Sequence, residues 1–317
     1  MRYFLTTLLG IVLVLAPRSL TAASPPSRPP TQIHIPVWFD PPPKCLTEQN
    51  LKVTLNGKPT AISRILDPSS DLVILLVLDV TGDISFIDPA KRALIEQVDA
   101  LPANAWVGLL RAQDGLSVIA DPTPDRRVIS DAIQSLPVTG KPGLLDTVAS
   151  VAGLANGILC KTRVRTAILY VTDSDVYNYR EDFTNPVINS SDPHDLSRRF
   201  PEALIQEKIS RLQSQISADE APLFIVHLRY RSSRMNQAYQ NGLKTLSEFT
   251  AGYGSFCRSD AEIPDAIQKV FTYIRSSWFL SLNLPKRAPA AIQVRLQLPE
   301  YKQSHMAYRA RLSLKAR

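Results

Sequence analysis

Two uninterrupted apolar runs, each closing on an aspartate, constrain this chain most. "LVILLVLDV" covers Leu72 to Val80 with Asp79 near its end, and "RTAILYVTD" covers Arg165 to Asp173. A run apolar at every position, not every second one, has no solvent face, so it predicts a strand buried on both sides. Such strands belong to parallel sheets covered by helices. With 317 residues, 44 % of them hydrophobic, the chain has enough apolar material to cover them.

The segments between and after these runs fit that prediction. "PAKRALIEQVDAL", "DRRVISDAIQSL", "GLLDTVASVAGLANGIL", "ALIQEKISRLQSQI", "GLKTLSEFTAG" and "IPDAIQKVFTYIRSSWF" carry helical spacing, and "PLFIVHLRY" reads as a further strand. "AWVGLLRA" and "LSVIAD" flank an Asp-Gly pair, a hairpin signal. The ends of the chain have a different texture. "TQIHIPVWF" and "LKVTLNGKPTAISRI", with an Asn-Gly turn, precede the α/β region, and "WFLSLNL", "AIQVRLQLP" and "YRARLSL" follow it. Strand-rich ends around an α/β middle predict a small sandwich-like module built from both termini. The divisions expected are 1–23 signal peptide, 24–68 proline-rich lead and β segment, 69–277 α/β domain, and 278–317 C-terminal β segment.

The signal peptide is read from Arg2, the apolar stretch Phe4 to Leu15 and the small residues of "SLTAAS", with cleavage expected after Ala23. That apolar stretch is short for a membrane span, with an uncleaved anchor helix as the alternative, and no span is expected after cleavage. Export makes Cys45, Cys160 and Cys257 either one disulfide plus a thiol or three separate buried thiols. Their spacing matches no metal motif. The formal charge of +7 comes from scattered Lys and Arg, densest at "RRF" and "RYRSSR", without the aromatic interleaving of a nucleic-acid surface. Nucleic acid is therefore not an expected partner.

In an open parallel sheet, ligands bind beyond the carboxyl ends of the strands where strand order reverses. If the two apolar strands are neighbours there, Asp79 and Asp173 point into one crevice with Thr81 and Asp83. Mg²⁺ takes such oxygens at about 2.0–2.1 Å and keeps part of its water. "LLVLDVTGDIS", "GLLDTV", "AILYVTDSD", "FIVHL" and "LSEFTAGYGSF" follow one another in an order that resembles a von Willebrand factor A (VWA) domain. The resemblance extends from roughly residue 33 to the end, and is closest to the secreted bacterial branch called VWFA-related.

That resemblance implies a doubly wound, Rossmann-like fold and a protein that binds partners without catalysing. It also implies a metal-ion-dependent adhesion site, in which Asp79, Thr81 and Asp83 fall on the Asp-x-Ser-x-Ser loop and Asp173 on the later aspartate. The threonine of the pattern falls on Pro142, which offers no side-chain oxygen, so the site is degenerate. The ion implied is Mg²⁺, with Ca²⁺ or Mn²⁺ as alternatives, and the partner's contact an acidic side chain. A second contact surface is expected on the long segment after Asp173, through Tyr177, Tyr179, Phe183 and His194.

Two other functions are compatible with parts of this pattern. A metal-dependent hydrolase of an envelope substrate would rest on Asp79, Asp83 and Asp173 as paired carboxylates, yet no general acid or base, nucleophile elbow, His-Glu-x-x-His or phosphate loop accompanies them. A structural envelope component is the third. His227, inside "FIVHL", is expected to be a satisfied core histidine.

Overall fold

The computed structural model describes residues 32–176, 201–285, 287–299 and 305–314. Tyr177, Tyr179, Phe183, His194 and the leader lie outside the described residues. Strands are numbered along the chain as β1 (Gln32–Asp40), β2 (Lys52–Leu55), β3 (Lys58–Pro59), β4 (Ile62–Leu66), β5 (Leu72–Asp79), β6 (Ala105–Arg111), β7 (Ser117–Thr123), β8 (Arg165–Thr172), β9 (Leu223–His227), β10 (Gly254–Phe256), β11 (Trp278–Asn283), β12 (Ala291–Gln297), β13 (His305–Tyr308) and β14 (Arg311–Ser313). Helices are α1 (Ile84–Asp99), α2 (Arg126–Ser135), α3 (Leu144–Thr162), α4 (Pro201–Gln215), α5 (Arg234–Phe249) and α6 (Ile263–Arg275).

The central sheet has the order β10-β9-β8-β5-β6-β7. All pairings are parallel except β6 with β7, which form the antiparallel hairpin that Asp114-Gly115 turns. The doubly wound sheet expected from the sequence is present. β5 explains itself residue by residue, because all eight of its side chains are buried. Leu72, Ile74, Leu76 and Leu78 enter one core with α1, α2 and α6. Val73, Leu75 and Val77 enter the other with residues of α3, α4 and α5. A strand that feeds two cores cannot alternate, which is why its sequence is apolar throughout.

Helix α3 is the one helix among the described residues long and apolar enough to cross a membrane, and half of its apolar window is buried. It packs on β8 as a core helix.

Strands from both ends of the chain form two further four-stranded sheets, β13-β1-β11-β4 and β14-β12-β2-β3. They share a third core that includes Ile33, Ile35, Val37, Trp278, Leu280, Ile292 and Val294. β12 is covered on one face only, and its residues alternate between exposed and buried in the period-2 pattern legible in "AIQVRLQ". The three cysteines form no disulfide: Cys45 is exposed, Cys160 half-buried and Cys257 buried. Of the two sequence readings the disulfide is absent, and of the three thiols only Cys257 is fully in the core.

Candidate functional site at the carboxyl end of the sheet

After β5 the chain proceeds to β6 on one side, and only later adds β8 on the other, so strand order reverses between β5 and β8. Asp79 ends β5 opposite Thr172, and Asp173 follows directly. The sheet therefore brings both aspartates to the switch point.

Asp79 is fully buried. One of its oxygens accepts the Gly143 N–H at 2.9 Å and the other accepts the Thr172 hydroxyl at 3.0 Å. The Thr172 hydroxyl lies 2.6 Å from that of Ser174, which lies 2.9 Å from the Tyr239 hydroxyl. Gly143 has to be glycine, because a side chain there would drive into the carbonyl oxygen of Ala112. Asp173 lies back over the loop after β5, accepting the Thr81 N–H at 2.9 Å and a second hydrogen bond from the Gly82 amide.

These hydrogen bonds do not neutralise the pair. Burial pushes the Asp79 carboxyl up to about 6, with the Asp173 charge adding to the rise and the Gly143 and Thr172 bonds opposing it. Asp173 is raised as well, again chiefly by burial, against the pull of the Thr81 and Gly82 amides and of Arg231.

Asp83 is placed differently. It caps α1, accepting the Ser85 N–H at 3.0 Å and the Ser85 hydroxyl at 2.7 Å, and these bonds hold its carboxyl below the usual range. Its other oxygen lies 3.7 Å from Arg229, whose guanidinium also rests 5.2 Å over the Phe86 ring. Beside it Arg231 pairs with Asp175 at 2.9 Å. The crevice is thus acidic at its floor and basic at its rim.

The donor chemistry suits a hard divalent cation. Asp79, Asp173 and the half-buried Thr81 supply two carboxylates and a hydroxyl, the small protein set that a largely hydrated Mg²⁺ takes. Each hydrogen-bonded carboxylate oxygen keeps a second lone pair. Asp83 gives Oδ1 to the cap of α1 and faces Arg229 at 3.7 Å through Oδ2, and Pro142 offers no side-chain oxygen. The residues fit a hydrated ion held by three side chains, fewer than the full ligand set implied by the resemblance.

Several participants had little sequence signal. Thr172 and Gly143 act through bonds to Asp79 that no spacing announces. Arg229 and Arg231 were visible only as the basic cluster "RYRSSR". Gln113, buried and donating its amide to the Val80 carbonyl at 2.6 Å, supports the loop from beneath with no motif at all. His227 is the satisfied core histidine expected, its Nε2 2.7 Å from the Ser174 carbonyl oxygen, and burial lowers its pKa to about 4.

No protein-family model matches the sequence, and no curated protein sequence matches it. Solved structures do. The chain is similar in fold to von Willebrand factor A domains. A von Willebrand factor type A structure from Catenulispora acidiphila matches at 10 % identity and a TM-score of 0.45, over 92 % of this chain and 74 % of that one. The von Willebrand factor domain of the type V pilus tip protein Mfa5 from Porphyromonas gingivalis matches at 12 % identity and a TM-score of 0.43, over 66 % and 96 %. Proximal thread matrix protein 1 from the mussel byssus matches at 12 % identity and a TM-score of 0.43 over 66 % of this chain, which spans about half (49 %) of that protein's length. Strand order and the placement of Asp79 and Asp173 define the crevice, independently of these identities.

Proposed function

We propose that this chain is an exported protein-interaction module of the envelope or cell surface that takes a protein partner at the carboxyl end of its central sheet, without catalysis. The observation that carries the reading is the pair of buried, incompletely neutralised carboxylates, Asp79 and Asp173, at the strand-order switch. Buried charge left uncompensated costs stability and is retained where something charged binds. Asp79, Thr81 and Asp173 would hold a divalent ion, Mg²⁺ foremost, which would supply an exchangeable position for a partner's carboxylate.

The chain's own residues set the terms of that contact. Thr81 and Gly82 amides and the Gly143 amide fix the two carboxylates, and Arg229 at the rim favours an acidic partner surface. The hydroxyls beside Asp79, those of Thr172, Ser174 and Tyr239, are buried and taken up in one hydrogen-bond chain, which favours binding over hydrolysis. Export rests on the leader sequence.

Isothermal titration of chelator-treated protein with Mg²⁺, Mn²⁺ and Ca²⁺, beside Asp79→Ala, tests the reading. The expected result is saturable heat at one site that the variant lacks. Absence of heat with every ion would overturn the cation-bridged contact.

A further inference from the structure

At the other end of the sheet, three residues far apart in sequence meet in the seam between the β module and the α/β domain. His34 comes from β1, Cys160 from the last turn of α3, and Glu220 from the connection before β9. A ring nitrogen, the thiol sulfur and a carboxylate oxygen all lie within 4.8 Å of one another, the one such cluster of three metal-ligating groups among the described residues. His34 and Glu220 are buried and Cys160 is half-buried.

We propose that His34, Cys160 and Glu220 form a zinc site that pins the β module to the α/β domain. The donor types select the ion. Imidazole nitrogen, thiolate and carboxylate together suit Zn²⁺, whereas Mg²⁺ and Ca²⁺ take oxygen alone. Three protein ligands with water in the fourth position make an ordinary tetrahedral zinc centre.

The spacing is close to what the ion needs. Zinc bonds of about 2.0–2.3 Å at tetrahedral angles put ligand atoms about 3.3–3.6 Å apart. His34 Nδ1 and the Glu220 carboxylate stand 2.7 Å apart, so the ion would open that contact by under about 1 Å and draw the sulfur inward. The scaffold around the ligands is already set. Glu220 also accepts the His34 backbone N–H at 3.0 Å, and its own N–H donates to Asn156 at 3.1 Å. Asn156 Oδ1 in turn lies 3.8 Å from the Cys160 sulfur. Ligands braced by such contacts lose little freedom on binding. Binding exchanges the thiol proton for the ion and displaces the His34 Nδ1 proton that now faces Glu220, to Nε2 or to solvent, with no change of oxidation state.

This site is independent of the carboxyl-end crevice, so either can fail alone. The test titrates the apo chain with Co²⁺ and then Zn²⁺, using the full chain, Cys160→Ser, Glu220→Gln and Asp79→Ala. The proposal expects a thiolate-to-cobalt charge-transfer band that one equivalent of Zn²⁺ bleaches, and a Zn²⁺-dependent rise in Tm. Both should persist in Asp79→Ala, the band should vanish in Cys160→Ser, and Zn²⁺ affinity should fall at least tenfold in Glu220→Gln. Absence of the band in folded wild-type protein, or its persistence in Cys160→Ser, overturns the proposal. Glu220→Gln keeps the shape of the side chain, so loss of affinity with circular dichroism unchanged separates ligation from folding.

Discussion

The two ends of the central sheet bury opposite charges and treat them differently. At the amino end Arg165 is buried, and its guanidinium donates to the carbonyl oxygens of Pro68, Ser70, Arg275 and Ser277 at 2.7–3.2 Å. Those four carbonyls belong to the two connections that link the β module to the α/β domain, so a single side chain ties both crossings to β8. At the carboxyl end Asp79 and Asp173 have hydrogen bonds but no matching charge within the floor of the crevice, and both carboxyls are raised. Burial lowers the Arg165 pKa too, to about 10, so the difference lies in the bonds: five carbonyl contacts take up its N–H groups, and this first arrangement is closed. The second is left open to something that brings charge with it.

The largest effect expected is at the closed end. Arg165→Met takes the guanidinium from all four carbonyls, leaving only Ser70 with a donor, the Asn104 amide, and should cost about 3–5 kcal/mol of unfolding free energy, read from urea denaturation. A loss below about 1 kcal/mol would mean that the carbonyls find water, and the contrast between the ends would disappear.

Asp79→Asn should do the opposite. The amide keeps an acceptor for Gly143 and can donate to the Thr172 hydroxyl, while the uncompensated charge is gone. Because the folded carboxyl is raised from 3.8 to about 6, its contribution is favourable at low pH and is lost as pH rises through that window. The variant should therefore be more stable than the parent by about 1–3 kcal/mol at pH 7 and nearly equal to it near pH 4. Mg²⁺ should stabilise the parent and leave the variant unmoved.

His227 supplies the counterweight. Its folded pKa is depressed to about 4, so its contribution is present above about 6.5 and is lost as pH falls toward 4. Over the shared window Asp79 and His227 have slopes of opposite sign, and wild-type stability should vary little between them. His227→Gln should unmask the Asp79 slope and Asp79→Asn the His227 slope, both read from Tm against pH. Parallel pH profiles for the two variants would contradict these assignments.

The smallest effect belongs to the rim. Arg229 is about two-fifths exposed and sits 3.7 Å from Asp83. Arg229→Ala should leave the denaturation midpoint in place, while removal of a positive charge beside the crevice raises divalent-cation affinity several-fold, read by calorimetry. Unchanged affinity would place the ion away from the loop after β5.

The fold was legible wherever burial is a property of sequence period. β5 and β8 announce themselves because two-sided burial leaves no alternating polar face, and β12 because one-sided burial leaves every second position polar. The Asn-Gly and Asp-Gly turns were legible because their backbones need positive φ, found at Asn56, Gly57, Asp114 and Gly115. Asp79 and Asp173 stood out as charges at the ends of apolar runs. Arg165 opened such a run without comment, since nothing local tells a buried guanidinium from an exposed one. His34, Cys160 and Glu220 have no spacing motif because three different elements carry them to one point, and only the tertiary structure closes that distance. Asp83 was grouped with the crevice by its position, while the Ser85 bonds seat it on the cap of α1.

The most direct test of an open carboxyl end is amide NMR of ¹⁵N-labelled protein during Mg²⁺ titration. The account predicts that the Thr81, Gly82 and Gly143 amides, which hold Asp173 and Asp79, shift first and saturate together. If those three stay in place while Mg²⁺ reaches millimolar concentration, the crevice is as closed as the Arg165 end, and the site reading falls.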